Sequence, residues 1–440
     1  MKRKTVKRLG MLMAVLLLLV GLMVASGAPG LSAQTPEASP PGAIGSVEVL
    51  GVWGGTELES FQAMVAPWEQ ETGGQMEFTG TRDLTAVLTT RLQAGNPPDI
   101  AILPNPGLMR QFVQAGYLIP LGDLMDMNLI TQQYPESWVE LGTVDGELYA
   151  VFMKATNKST VWYNPRVFSE NNWEIPTTWD EMVALSDEIV AAGGTPANPW
   201  SMGMEAAQAS GFPGTDWIAQ IFLSKYGGEA YDQWVAHEIP WTDPRIKDAW
   251  EMFGAIATTE GYVAGGTTAI LSTNFQDASY LPFQDPPRAA MYYEGDFVQG
   301  FIASQFPNLV AGEDYDFFAF PEVSEDGGAA SPTGTPGASP MPGVGGAVTG
   351  GADLVVAFND TPAVRSFVEY LASADAQTIW VERGGFTSLN QEVSLDAYPN
   401  DLAQKSAQQL IEAEDFRFGA GDIMPGAMQT AWWAAVLQYL

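Results

Sequence analysis

No cysteine occurs in the 440 residues, and there is a single histidine, His237. Thiol nucleophiles, disulfide staples and cysteine zinc sites are therefore excluded, as is the paired-histidine HExxH chemistry of metalloproteases. A Ser-His-Asp triad would have to run through His237. That residue stands in Gln233-Trp234-Val235-Ala236-His237-Glu238, just before Pro240, with no nucleophile-elbow sequence around it. It reads as a surface or packing histidine. Basic residues are scarce as well: 19 Lys and Arg face 52 Asp and Glu, a formal charge of −33. Such a chain repels phosphate backbones and anionic membranes, which argues against nucleic-acid binding. Aromatics are not scarce. Fourteen Trp, 14 Tyr and 21 Phe set the chain apart from a disordered acidic tail. Its length exceeds one ordinary core, so two lobes are expected.

Long apolar runs are missing except at the N-terminus. Lys2, Arg3, Lys4, Lys7 and Arg8 precede an apolar stretch over residues 9–25 and a small-residue region ending Leu31-Ser32-Ala33. This is the pattern of a secretory signal peptide over residues 1–33, cleaved after Ala33, with Ala25-Ser26-Gly27 as a second option. The rival reading is an uncleaved membrane tether, although 9–25 falls short of the ~20 residues of a spanning helix. Without cysteine, lipid anchoring through a lipobox is excluded. The expected location is secreted, periplasmic or extracellular. Residues 34–46 read as a Pro/Ser/Gly linker, and 324–349 as a low-complexity surface loop.

Between these stretches strand and helix patterns alternate. Strands are expected at 47–53, 75–79, 99–103, 149–152, 159–163, 289–293, 315–320 and 354–358. Helices are expected at 58–71 (with Pro67 awkward inside), 84–94, 108–115, 178–192, 216–226, 244–258, 362–371 and 374–383. The rhythm predicts an α/β fold with a parallel sheet, in which ligands bind beyond the carboxyl ends of the strands.

Several segments at those ends combine aromatic, acidic and small residues. The first strand leads into Trp53-Gly54-Gly55-Thr56-Glu57, and the second into Arg82 and Asp83, the latter also placed to cap the next helix. Others are Tyr292-Tyr293-Glu294-Gly295-Asp296-Phe297, Gly350-Gly351-Ala352-Asp353, Asp216-Trp217, and Asp422 ahead of a helix bearing Trp432 and Trp433. Each alone is as compatible with capping and core packing as with a site. Together they suit a carbohydrate, whose C–H faces stack on rings while ionised groups hold vicinal hydroxyls. The same acids also permit a glycosidase, with a pair such as Glu294 and Asp296.

These segments, in this order, resemble the extracellular solute-binding proteins of ATP-binding-cassette sugar importers, in particular the α-glucoside and oligosaccharide type, with maltose-binding protein more distant. Leu92-Gln93-Ala94-Gly95-Asn96-Pro97-Pro98-Asp99-Ile100-Ala101 is similar to that family's ATGxxPDI segment, and Gln114-Ala115-Gly116-Tyr117-Leu118-Ile119-Pro120-Leu121 to its xxGxLxxL segment. Asp145-Gly146-Glu147-Leu148-Tyr149-Ala150, Val161-Trp162-Tyr163-Asn164 and Pro176-Thr177-Thr178-Trp179-Asp180-Glu181 continue the match. Ala290–Asp296 and Asp422-Ile423-Met424-Pro425 complete it. The resemblance implies a two-lobe periplasmic-binding-protein fold (type II-like) with three hinge crossovers, near Val151, Asp353 and Pro399, and a ligand cleft between the lobes. It places the N-lobe at 47–151 and 352–400, and the C-lobe at 152–349 and 401–440.

By the same resemblance the ligand contacts are Trp53, Glu57, Trp217, Phe297 and Trp433, with Arg82, Asp83, Glu294, Asp296, Asp353 and Asp422 binding hydroxyls. The implied protein is a monomeric, non-enzymatic carbohydrate receptor without cofactor or metal, delivering its ligand to membrane permease subunits by hinge closure. A secreted hydrolase and a same-fold polyamine binder are the alternatives. Two departures stand out. The 324–349 insertion is longer than in the family, and the chain stops at Leu440 within a predicted helix where relatives continue, so a shortened gene is one reading.

Overall fold

The computed structural model describes residues 44–324, 346–413 and 415–440. The predicted signal peptide and most of the linker lie outside the described residues, as do positions 325–345 of the predicted loop. The strands are β1 (Ser46–Gly51), β2 (Gln75–Gly80), β3 (Ile100–Leu103), β4 (Thr143–Val144), β5 (Glu147–Leu148), β6 (Val151–Asn157), β7 (Thr160–Tyr163), β8 (Met291–Tyr293), β9 (Asp316–Ala319), β10 (Ala347–Ala357), β11 (Thr387–Ser388) and β12 (Asp415–Phe418).

Each expected strand has a counterpart, but several ends move, the strand expected at 149–152 running Val151–Asn157 as β6. Ser46, assigned to the linker, opens β1, and Ala347–Thr349, assigned to the loop, begin β10. The reason is pairing: Gly350, a residue that signals a turn when read alone, is held on one side by Asn157 and on the other by Phe418. Helices follow the sequence pattern closely. The first runs Gly55–Thr72 straight through Pro67, and Phe212–Val235 is longer than expected, with non-helical backbone at Gly227. Local chemistry sets the starts. Asn105 accepts from the Leu108 N–H at 2.8 Å ahead of Pro106, and Thr178 with Glu181 forms a capping box. Asp83 sits at its N-cap but makes no side-chain cap bond.

The large sheet has strand order β11-β6-β10-β3-β1-β2, with β12 beside β10. It is parallel only where strand–helix–strand units build it, at β1–β2, β1–β3 and β10–β12; β10 runs antiparallel to both β3 and β6. The small sheet, β8-β7-β9, is antiparallel throughout. The all-parallel expectation is therefore corrected. Strand β10 arrives from the other sheet rather than by a right-handed crossover, and it runs opposite to β3 and β6, which share one direction.

Each sheet carries its own core. Val49, Leu50, Phe61, Trp68, Ile102, Phe152, Val356, Phe367 and Trp380 belong to the first. Val161, Trp200, Trp217, Phe222, Trp234, Phe253, Met291, Phe318 and Trp432 belong to the second, flanked by a smaller cluster around Trp162, Tyr292 and Phe317. The chain passes between sheets at Lys158-Ser159, between β6 and β7, and again between β9 and β10. A third passage follows β12 near Gly419, because Phe418 is in the first core and Ala420 in the second. Val151 and Asp353, expected at crossovers, lie inside β6 and β10. The helix Asp401–Glu412 follows the third expected crossover and packs Ala403, Ala407 and Leu410 into the first core.

Candidate ligand-binding cleft

A cleft of about 1080 Å³ opens between the two cores. Its floor is β6 and the residue after it. Successive strand side chains point to opposite faces, so Lys154, Thr156 and Lys158 share one face and all three line the cleft. At Met153 the pairing of β6 with β10 slips by one residue, between the Asp353–Lys154 and Leu354–Phe152 pairs. A bulge of this kind re-aims side chains beside a site. Here Lys154 and Asp353 emerge together as paired neighbours.

Lys154 is buried, Lys158 is half-buried, and each holds two acids. Lys154, with 4% of its side chain exposed, donates to Glu57 at 2.6 Å and lies 4.0 Å from Asp353. Trp53 Nε1 donates to the other side of this arrangement, reaching Asp353 Oδ2 at 2.9 Å. Lys158 donates to Asp422 at 2.9 Å and lies 3.1 Å from Asp216, while its own N–H bonds Thr349 O at 2.9 Å. Burial alone would lower both ammonium groups. The acids outweigh it and hold each lysine above its ordinary range, Lys154 through Glu57 and Asp353, and Lys158 through Asp216 and Asp422. Burial pushes Asp353 up to about 6 against the pull of Lys154, and raises Asp216 against that of Lys158.

Aromatic side chains form the walls. Trp53, in the first lobe, is only 2% exposed and packs edge-on to Phe61 and Trp380, so it offers the cleft a narrow rim of its ring. Phe212, Phe275, Phe297, Phe301 and Trp433 line the opposite side. Arg82 crosses the opening, its guanidinium 5.8 Å from the centroid of the Phe275 ring, within cation–π range. The two halves also meet at Gly107. A Cβ there would sit 2.3 Å from Met424 O, so only glycine admits this approach of backbone to backbone.

Seven of the eleven expected contacts line this one cleft: Trp53, Glu57, Arg82, Phe297, Asp353, Asp422 and Trp433. Four do not. Trp217 is 1% exposed in the second core, against Trp200, Tyr293 and Phe320 at centroid distances of 5.1, 4.6 and 5.7 Å. Asp83 stands one residue beyond Arg82 without reaching the lining. Glu294 is buried behind the cleft, one oxygen bonded by Gly295 N at 2.8 Å and the other, Oε1, without a hydrogen-bond partner among the described residues. Asp296 accepts from Ser406 at 2.9 Å and Thr387 at 3.2 Å, which tie it to the first lobe.

The lysines were the main omission. Their signal was legible: two of the five lysines after residue 33 fall at Lys154 and Lys158, alternate positions of one strand face in a base-poor chain. Asp216, noted only as a helix start beside Trp217, is the cleft residue of that pair. Phe275 and Gln429, the latter 3.3 Å from Asp422, carried no sequence pattern. The single histidine, His237, is exposed in left-handed backbone just after the helix Phe212–Val235, as a surface histidine should be.

Two sheets with separate cores, strands that pass between them, and a polar-aromatic cleft where they meet define a two-lobed solute-capturing protein. Residues 54–378 match the family model of the bacterial extracellular solute-binding proteins. The chain is 35% identical over 395 residues to the osmoprotective compounds-binding protein GgtB of Synechocystis sp., covering 90% of this chain and 88% of that one. It is 32% identical over 403 residues to the alpha-glucosides-binding periplasmic protein AglE of Rhizobium meliloti, covering 90% and 83%. The solved structure of the bacterial solute receptor AcbH shares the fold, with a TM-score of 0.74 at 18% identity over 90% of this chain and 94% of that one. The chain belongs to the bacterial extracellular solute-binding protein family. Among the described residues no helix is long and apolar enough to cross a membrane.

Proposed function

We propose that this protein captures a neutral carbohydrate, of the α-glucoside or oligosaccharide class, and delivers it to the permease subunits of an ABC importer. The observation that carries the reading is the charge arrangement of the cleft. Glu57 and Asp353 share Lys154, and Asp216 and Asp422 share Lys158, so each of the four carboxylates has an internal cation within 4.0 Å before any ligand arrives. Such groups still accept and donate hydrogen bonds to hydroxyls, while the aromatic walls supply apolar faces. A polyamine would need carboxylates without partners, and these have partners. The name of AglE, an alpha-glucosides-binding protein, supports the same ligand class.

Binding rather than hydrolysis is the proposed activity. The acid pair named for a hydrolase, Glu294 and Asp296, lies outside the cleft lining, which removes the particular residues that favoured catalysis. The proposed N-lobe comprises residues 44–158 and 346–418, and the C-lobe 159–324 and 419–440. These boundaries follow the changes of sheet rather than the expected 151/152 and 400/401. Hinge closure then rests on the passages at Lys158-Ser159 and near Gly419, which absorb the rotation, with a monomer working outside the cytoplasm.

A thermal-shift screen of mono- and oligosaccharides against spermidine and putrescine tests the ligand class. A ligand at 100 times its Kd adds about 2.7 kcal/mol to stability. Stabilisation by a sugar, recovered intact after overnight incubation, is expected. Stabilisation by polyamines alone, or release of cleaved sugar at ~1 per second or faster, would overturn the reading.

A further inference from the structure

Behind the cleft lining, Glu294 is buried, accepts a single hydrogen bond, and plays no part in the ligand contacts described above. We infer that Glu294 is a positioning residue for sugar binding: in its protonated form it stands behind Lys158 without competing for it, so that the ammonium stays with the two cleft acids, Asp216 and Asp422. The inference rests on the carbohydrate reading above and adds how that same site is regulated, by proton loss from a group outside the lining.

The backbone fixes this placement. Glu294 N donates to Thr160 O at 3.2 Å, and Asp296 N donates to Asn157 O at 2.8 Å, so the turn is tied to the chain on both sides of Lys158. The Glu294 carbonyl also accepts from Trp162 Nε1 at 3.2 Å and from the Thr160 hydroxyl. Gly295 permits the close approach: a Cβ there would lie 2.9 Å from Cγ2 of Thr156, which lines the cleft. Glu294 is thereby held against the passage between the lobes at which Lys158 stands.

The hydrogen bonding suits a neutral acid. An ionised carboxylate accepts at both oxygens, and burial makes an unfilled one costly. Gly295 N–H fills one oxygen at 2.8 Å, while Oε1 has no partner among the described residues. The groups acting on the carboxyl are Asp216 from the helix Phe212–Val235, Asp422 from the helix Ala420–Ile423, and Lys158; Tyr292, Tyr293 and Asp296 share its own segment. Lys158 already serves Asp216 at 3.1 Å and Asp422 at 2.9 Å, both in the cleft lining. A third carboxylate, ionised behind it, draws the ammonium away from that pair. Burial, with Asp216 adding, pushes the Glu294 carboxyl up to about 8, so it is neutral at pH 7 and ionises above. Asp216 is raised only to about 6, and Tyr292, Tyr293 and Lys158 lie above their ordinary ranges, so pH 7 to 9 separates Glu294 from these neighbours.

The test is calorimetric titration between pH 7 and 9 with whichever of maltose, trehalose and maltotriose gives the largest thermal shift. Sugar should bind the protonated form more tightly. A carboxyl raised by one further pH unit on binding makes Kd about fivefold larger at pH 9 than at pH 7. By the same linkage, binding at pH 8 takes up about 0.4 proton, read from the difference between enthalpies in Tris and HEPES. Glu294→Gln is neutral at every pH and should show neither the slope nor the uptake, whereas a merely structural role predicts the same slope in both proteins. Should that variant alter folding, the proton uptake of the wild type decides alone. A wild-type Kd that stays flat without uptake, or a variant that keeps the wild-type slope, would overturn the role of Glu294 only. Binding of none of the three sugars would overturn the carbohydrate reading and this role with it.

Discussion

Trp217 and Trp433 both stand where sequence similarity puts sugar-facing aromatics, yet the structure gives them opposite roles, and paired alanine variants separate these. Trp217 is 1% exposed and touches Trp200, Tyr293, Phe253 and Phe320 within the second core. Removing a tryptophan from such a site costs about 3–5 kcal/mol in lost transfer energy and residual cavity. Unfolding entropy is roughly 2 cal/mol/K per residue, so with ~400 residues unfolding together the loss lowers Tm by ~4–6 °C. Trp433 is half-buried on the cleft wall, and its loss should cost about 1–3 kcal/mol of sugar affinity with little change in ligand-free Tm. Calorimetric unfolding without ligand and titration with the best sugar of the panel measure the two effects separately. A Trp217→Ala protein that melts like wild type but fails to bind would refute the assignment. A Trp433→Ala protein that melts several degrees lower would do the same for its partner.

Glu294 gives a pH signature. Burial raises its carboxyl to about 8, with Asp216 adding to the shift, so the folded state holds a proton that the unfolded state releases near pH 4.5. The folded state then binds more protons between these values, and stability falls as pH rises through that window, by up to ~1.4 kcal/mol per pH unit. Glu294→Gln should flatten the decline of Tm between pH 5 and 8, and an unchanged slope would count against the assignment. Lys158→Met removes the one cation shared by Asp216 and Asp422, and breaking a buried pair in this way costs about 3–5 kcal/mol at pH 8. The loss should shrink toward pH 5 as Asp216, already raised by burial, takes up a proton; chemical denaturation at the two pH values measures it. Gly107→Ala would place a Cβ 2.3 Å from Met424 O across the two lobes. At least tenfold weaker sugar binding is expected, with a larger radius of gyration in saturating ligand by small-angle scattering; wild-type values for both would show that closure does not need this contact.

The order of strands and helices, the family and most of the cleft were legible along the chain, because they depend on local chemistry. Trp53 and Glu57 follow the first strand, Asp422 precedes a helix, and Asp353 stands among small residues within β10. What the chain alone left open is the direction of a side chain within its element. Trp432 and Trp433 are neighbours on one helix, and a turn of about 100° per residue sends the first into the second core and the second to the cleft. Glu294 and Asp296 share a turn with Phe297, yet only Phe297 reaches the cleft, since Gly295 and Ser406 hold the two acids elsewhere. Lys154 and Lys158 became site residues only when β6 met β10, because their partners lie 97 residues away at Glu57 and 264 residues away at Asp422. Sequence determined which groups were present and which elements carried them. Tertiary packing decided which faces met, and long-range pairing of buried charge is a property of that meeting alone.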